Sequence, residues 1–235
     1  MRATHIQSVL RRGIVALSVA LAAAAIPAGV AAAPDSRDKG GETTCTGAFT
    51  GVAPHNLVVP TGHFCIILGA KVGGNVLVKK GAIGFHSHHS TIGGSVLSPG
   101  PIVFDIRVLD SKVGHNILVA KTRSGTAGGI CRSTIGGNIL LKENAGTMNV
   151  GIGFPFDVCF AGNTIGGNII ADRNSGILTI NHNRVNKSVH IDKNTGQEFI
   201  GPGNVITHTL ECERNVPPPV SVGNTAHEFV GQCQH

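Results

Sequence analysis

Nine residues, Ser133-Thr134-Ile135-Gly136-Gly137-Asn138-Ile139-Leu140-Leu141, recur along this chain in near copies. Versions begin at Lys71, Ser90, Ser111 and Asn163, and degenerate ones follow at Asn183 and Gly203. The residue after the first aliphatic of each copy falls at 73, 93, 114, 136, 166, 186 and 206, in steps of 20, 21, 22, 30, 20 and 20. A copy around Asn56 and another around Phe229 extend the series to eight or nine units. A period near 20 residues with a constant apolar signature belongs to a solenoid, in which each unit buries its apolar face against the next.

The runs inside each unit are short and alternate apolar with polar or small residues, as in Ile102-Val103-Phe104-Asp105-Ile106-Arg107-Val108. Gly, Asn, Ser and Pro separate them, leaving no room for helices long enough to pack. The expected fold class is therefore all-β: a right-handed parallel β-helix of about eight coils of roughly 20 residues. The hand is expected from the strong bias of parallel crossovers, and most of the steps are not the multiples of six that a left-handed hexapeptide helix needs. Ile92, Val113, Ile135, Ile165 and Val185 should stack inward as one ladder, and Val76, Val96, Ile117, Ile139, Ile169 and Val189 as a second. Asn75, Asn116, Asn138 and Asn168, with Ser95 and Ser188, should form an amide and hydroxyl ladder at a corner. Asn144, Asn174, Asn194 and Asn215 should mark another corner. The Gly-Gly pairs suit a corner that needs positive φ or close backbone approach.

Three basic residues (Arg2, Arg11, Arg12), an apolar run from Ile14 to Ala25 and the small residues Ala31-Ala32-Ala33 have the order of a secretory signal. Cleavage after Ala33 is expected, with 34–44 a flexible lead-in and 45–235 a single β-helix domain. No membrane span is expected in the mature chain. Of 19 basic residues, 16 remain after residue 33 against 13 acidic ones, a net charge of +3. That charge, with no Tyr or Trp to stack on bases, argues against a nucleic-acid partner.

Six cysteines fit an oxidising compartment, and no C-x-x-C occurs. Six cysteines allow fifteen pairings. Spacing nevertheless places Cys45 and Cys65, 20 apart, and Cys212 and Cys233, 21 apart, at nearly one position on neighbouring coils. Cys131 and Cys159, 28 apart, straddle the long unit, whose excess near 151–162 should bulge as a loop. Three coil-to-coil disulfides are the expectation.

The repeat x-[TK]-[IV]-G-G-N-[IV], the opening Val58-Val59-Pro60-Thr61-Gly62-His63-Phe64-Cys65 and the close from Cys212-Glu213-Arg214-Asn215 to Gly231-Gln232-Cys233 resemble small exported actinobacterial β-helical repeat proteins. The resemblance covers nearly all of 45–235. It implies a fold and an exported compartment, and it carries over no catalytic residues.

Two constellations could carry chemistry. Asp172 and Asp192, 20 apart, should stack as a carboxylate pair of the kind retaining glycosidases use, with Arg173 or Lys193 as an assisting base. Each acid has a basic neighbour, however, and the alternative is a solvated ladder of mixed charges. His86 and His88 share one strand face and form half of a metal site, with His63 or Asp105 as further ligands from adjacent coils. Thr91, Thr134 and Thr164 recur at one position, but Lys71, Lys112 and Arg184 interrupt the row. The Gly-Gly pairs belong to the repeat, so no cofactor is expected. The expected role is non-catalytic: an exported rod that meets a cell-wall polymer, an extracellular protein or further copies of itself. A carbohydrate lyase or hydrolase using Asp172 and Asp192, and a metal binder using His86 and His88, are the alternatives.

Overall fold

In a computed structural model, residues 41–153 and 159–234 are described. The expected signal at 1–33 lies outside them, as do most of the lead-in and the middle of the long unit's insertion. The described residues contain no helix, and every strand pairing among them is parallel. Within a turn, a two-residue strand such as Thr134–Ile135 precedes a corner and then a longer strand such as Ile139–Lys142. Both belong to one 17-stranded sheet, while strands such as Ala127–Cys131 form a separate 9-stranded sheet with one strand per turn. The result is a β-solenoid of about nine turns. Pairing starts at Thr43–Thr44, within the segment expected as lead-in, where Thr43 lies opposite Leu57.

Both aliphatic ladders stand in register. Ile92 lies opposite Val113, Val113 opposite Ile135, Ile135 opposite Ile165 and Ile165 opposite Val185. Val76, Val96, Ile117, Ile139, Ile169 and Val189 are matched in the same way. All of them are buried in one continuous core that runs from Cys45 to Cys233. An aliphatic side chain over another at strand spacing buries apolar surface on both its upper and its lower side. Isolated turns have no such partner, so stability depends on stacking.

Cys45–Cys65, Cys131–Cys159 and Cys212–Cys233 are disulfides, with Cα–Cα distances of 5.5, 5.6 and 5.3 Å. The first and last tie the end turns to their neighbours, where a solenoid otherwise exposes core and strand edge.

The Gly-Gly corner works by close approach. A Cβ built on Gly136 would stand 2.2 Å from the carbonyl oxygen of Gly114 on the turn before, while the φ of Gly136 is one that any residue adopts. Gly136→Ala is expected to lower stability by about 1–3 kcal/mol, the usual range for overpacking. Urea unfolding followed by circular dichroism checks it; an unchanged midpoint would mean that the corner opens freely. Left-handed backbone appears elsewhere, at Lys121, Glu143, Arg173, Lys193 and Arg214, with φ between 51° and 59°. These turn the chain so that the next residue can point inward. Four of them precede the second Asn ladder, whose members Asn144, Asn174, Asn194 and Asn215 are all buried.

Candidate functional site

Asp172 and Asp192 lie opposite each other on the paired strands Ile169–Asp172 and Val189–Asp192. This is the stacking that the 20-residue spacing requires. Their side chains are committed to bases. Both carboxylate oxygens of Asp192 accept from Arg214, whose Nε stands at 2.9 Å and Nη2 at 3.0 Å, and Lys193 Nζ adds a contact of 2.9 Å. Asp172 is held by Arg173 at 3.0 Å, and Arg173 also reaches Glu143 at 3.5 Å. Partial burial alone would raise the Asp192 pKa, but the hydrogen bonds from Lys193 and Arg214 outweigh it and hold the group below the usual carboxylate range. A general acid in glycoside hydrolysis needs the opposite shift. The groove along this corner is open and lined by a column of acids, Asp172, Asp192 and Glu213, stacked turn over turn beside the bases Arg173, Lys193 and Arg214 that follow each of them. It has the makeup of a solvated charge ladder.

His86 and His88 stand on the strand Gly84–His88, with ring centroids 6.0 Å apart. Phe64 packs edge-on against His86 at 4.8 Å. Asp105 is drawn to His86 as anticipated, with Oδ1 at 2.7 Å from Nε2, although the residue in register with His86 is Arg107. The side chain of Asp105 is buried, and its other oxygen accepts from Arg107 Nε at 2.8 Å. That guanidinium occupies the second lone-pair side of the carboxylate and places a cation beside any metal. Burial lowers the His88 pKa, and repulsion from His86 and His89 adds to the shift. His63 does not join the pair: it is exposed, with Nδ1 at 3.0 Å from the carbonyl oxygen of Thr61. Among the described residues no group of three or more His, Cys, Asp or Glu side chains converges as a metal site. The arrangement works as a buried salt-bridged carboxylate capped by imidazole.

Two features escaped the sequence reading. A third polar ladder runs through Ser90, Ser111, Ser133, Asn163, Asn183 and Asn204, the first five donating their backbone N–H to the side-chain oxygen on the next turn at 3.0–3.3 Å. Its signal was present, since all but the last open the repeat copies, but the position changes from Ser in the first three turns to Asn in the last three. The second is a column of outward, half-buried aliphatics, Leu77, Leu97, Leu118, Leu140 and Ile170, which gives one flank of the rod an apolar stripe.

The fold and its surface thus define an all-β parallel solenoid whose polar groups are largely spent on holding the turns together. Comparisons with protein families, curated proteins and solved structures found no match to this chain.

Proposed function

We propose that this chain is an exported, non-catalytic rod that presents its repetitive surface to a partner at the cell envelope or outside the cell. The observation that carries this reading is the register itself. Outward residues of successive turns form straight columns along the solenoid, which suits contact with an extended partner and spreads binding over many weak sites. Three disulfides fit an oxidising environment and a structure meant to persist there. The enzymatic alternative is not favoured, because Asp192 is locked between Arg214 and Lys193 and its pKa is lowered. Co-sedimentation with isolated cell-wall material, assayed at the same time for new reducing ends, tests the proposal. Binding without release of reducing ends is expected, unchanged in Asp192→Asn. Reducing ends that appear with the wild type and vanish in the variant would overturn it.

A further inference from the structure

The charges of this rod are segregated by face. Ion pairs among the described residues gather at Asp105, Asp110, Glu143, Asp172, Asp192, Glu211 and Glu213. The face formed by the two-residue strands and the Gly-Gly corner has a different makeup. Its outward row reads Lys71, Thr91, Lys112, Thr134, Thr164 and Arg184, one residue per turn and each in register with the next. All six are exposed. Lys187, exposed at the adjoining corner, adds a fourth cation. Among the described residues none of these four cations has an ion-pair partner, and no carboxylate stands on this face between the turns of Lys71 and Arg184. Asp110, on the corner beside the row, is already neutralised by Arg132, whose Nε stands at 2.7 Å.

The row has a defined pitch. At roughly 4.8 Å per turn, Lys71 and Lys112 stand about 10 Å apart, and Lys112 and Arg184 about 14 Å apart, with threonine hydroxyls in between. A polymer lying along the row meets a cation at every second or third step and hydroxyl hydrogen-bonding groups at the others. That pattern matches a chain in which anionic groups are interspersed with hydroxyls. It matches less well a polyphosphate or a DNA strand, which bring no hydroxyls between their charges, and between the turns of Lys71 and Arg184 the described face carries no Phe, Tyr or Trp, its one ring being the exposed imidazole of His115 at the corner. The row's straightness matters too, since a rigid track along the axis holds its cations at fixed separations and loses little freedom on binding.

We propose that the row Lys71–Thr91–Lys112–Thr134–Thr164–Arg184 is a binding track for an extended acidic polysaccharide running along the solenoid axis. The assignment rests on the rod reading above and names the chemistry of its partner. Fluorescence anisotropy of labelled polygalacturonate with the purified protein tests it, with neutral dextran and an oligo(dT) of matched charge as comparison probes. Expected is binding of polygalacturonate and none of dextran, with log K falling against log salt at a slope on the order of −2 to −3 for three to four neutralised anions. Lys112→Gln with Arg184→Gln should weaken binding about tenfold or more at low salt and flatten the slope. Lys142→Gln, which removes a cation from the opposite corner, should leave both unchanged. Absence of polygalacturonate binding at low salt, undiminished binding by the double variant, or tighter binding of oligo(dT) would each overturn the track. The wall co-sedimentation assay is independent, so retention there by the double variant would leave the rod reading standing and sink only this face.

Discussion

Asn174→Ala is expected to cost about 3–5 kcal/mol of unfolding free energy, more than any surface change on this protein. Asn174 sits in the buried ladder with Asn144, Asn194 and Asn215. Its Oδ1 accepts from the backbone N–H of Asn144 at 2.9 Å and from Asn144 Nδ2 at 3.0 Å. Its Nδ2 donates to the carbonyl oxygen of Leu141 at 3.0 Å and to Asn194 Oδ1 at 2.9 Å. Truncation leaves a backbone N–H, an amide hydrogen and a carbonyl lone pair without these partners in the interior, each worth about 1–3 kcal/mol when unsatisfied. Asn138→Ala supplies the contrast. Asn138 makes a similar bond, accepting from Asn168 N–H at 2.8 Å, but its corner is half-exposed and water can replace the lost group. It should cost about 1 kcal/mol. Urea unfolding of the two variants decides; equal losses, or a larger one for Asn138→Ala, would show that burial does not set the strength of these ladders.

That contrast also shows what the sequence revealed and what it hid. The stacking of Ile92, Val113 and Ile135 was readable because one residue type returns at one period, and a parallel solenoid converts period into register. The same arithmetic paired the cysteines and put Asp172 over Asp192. The fate of those acids was readable as well, since Arg173, Lys193 and Arg214 follow at fixed offsets. Backbone conformation was harder to read. Gly136 offered two reasons for a glycine, and the structure uses close approach to Gly114, while the left-handed turns fall on Glu143, Arg173, Lys193 and Arg214, which look like ordinary surface residues. Diagonal contacts were partly hidden too. Spacing brought Asp105 near His86, but register sets Arg107 opposite that ring, so the His86 contact is a diagonal reach that period does not define, while Arg107 holds the far oxygen from two places along the same strand and on the same face. The cation row was written in the repeat, where Lys71, Lys112 and Arg184 look like interruptions of a threonine row until the acids are seen to lie elsewhere.

Glu198 should make the fold lose stability as the solution turns from acid to weakly alkaline. It lies on the strand Glu198–Ile200 with its side chain turned inward, in register with the core residue Leu178. Only 1% of its surface is exposed, and neither carboxylate oxygen has a hydrogen-bond partner among the described residues. The strands on either side, Leu178–Asn181 and Val220–Ser221, bring no basic group. Burial therefore pushes its pKa up from an ordinary 4.5 to about 7. The folded state holds this proton more tightly than the unfolded chain. Stability from this group is thus fully present below about pH 4.5 and drains away as pH rises through about 7, to a total on the order of 3 kcal/mol. Other groups contribute to the pH dependence of the whole fold, so the informative quantity is the difference between wild type and Glu198→Gln, which cannot ionise there. Unfolding free energies from urea titrations at pH 4.5, 6, 7 and 8 should show that difference moving against the wild type by about 3 kcal/mol across the series. Glu198→Leu, with no polar atom to bury, should be the most stable of the three at pH 8. A difference that stays flat with pH would mean that the Glu198 carboxylate finds a partner or water in solution.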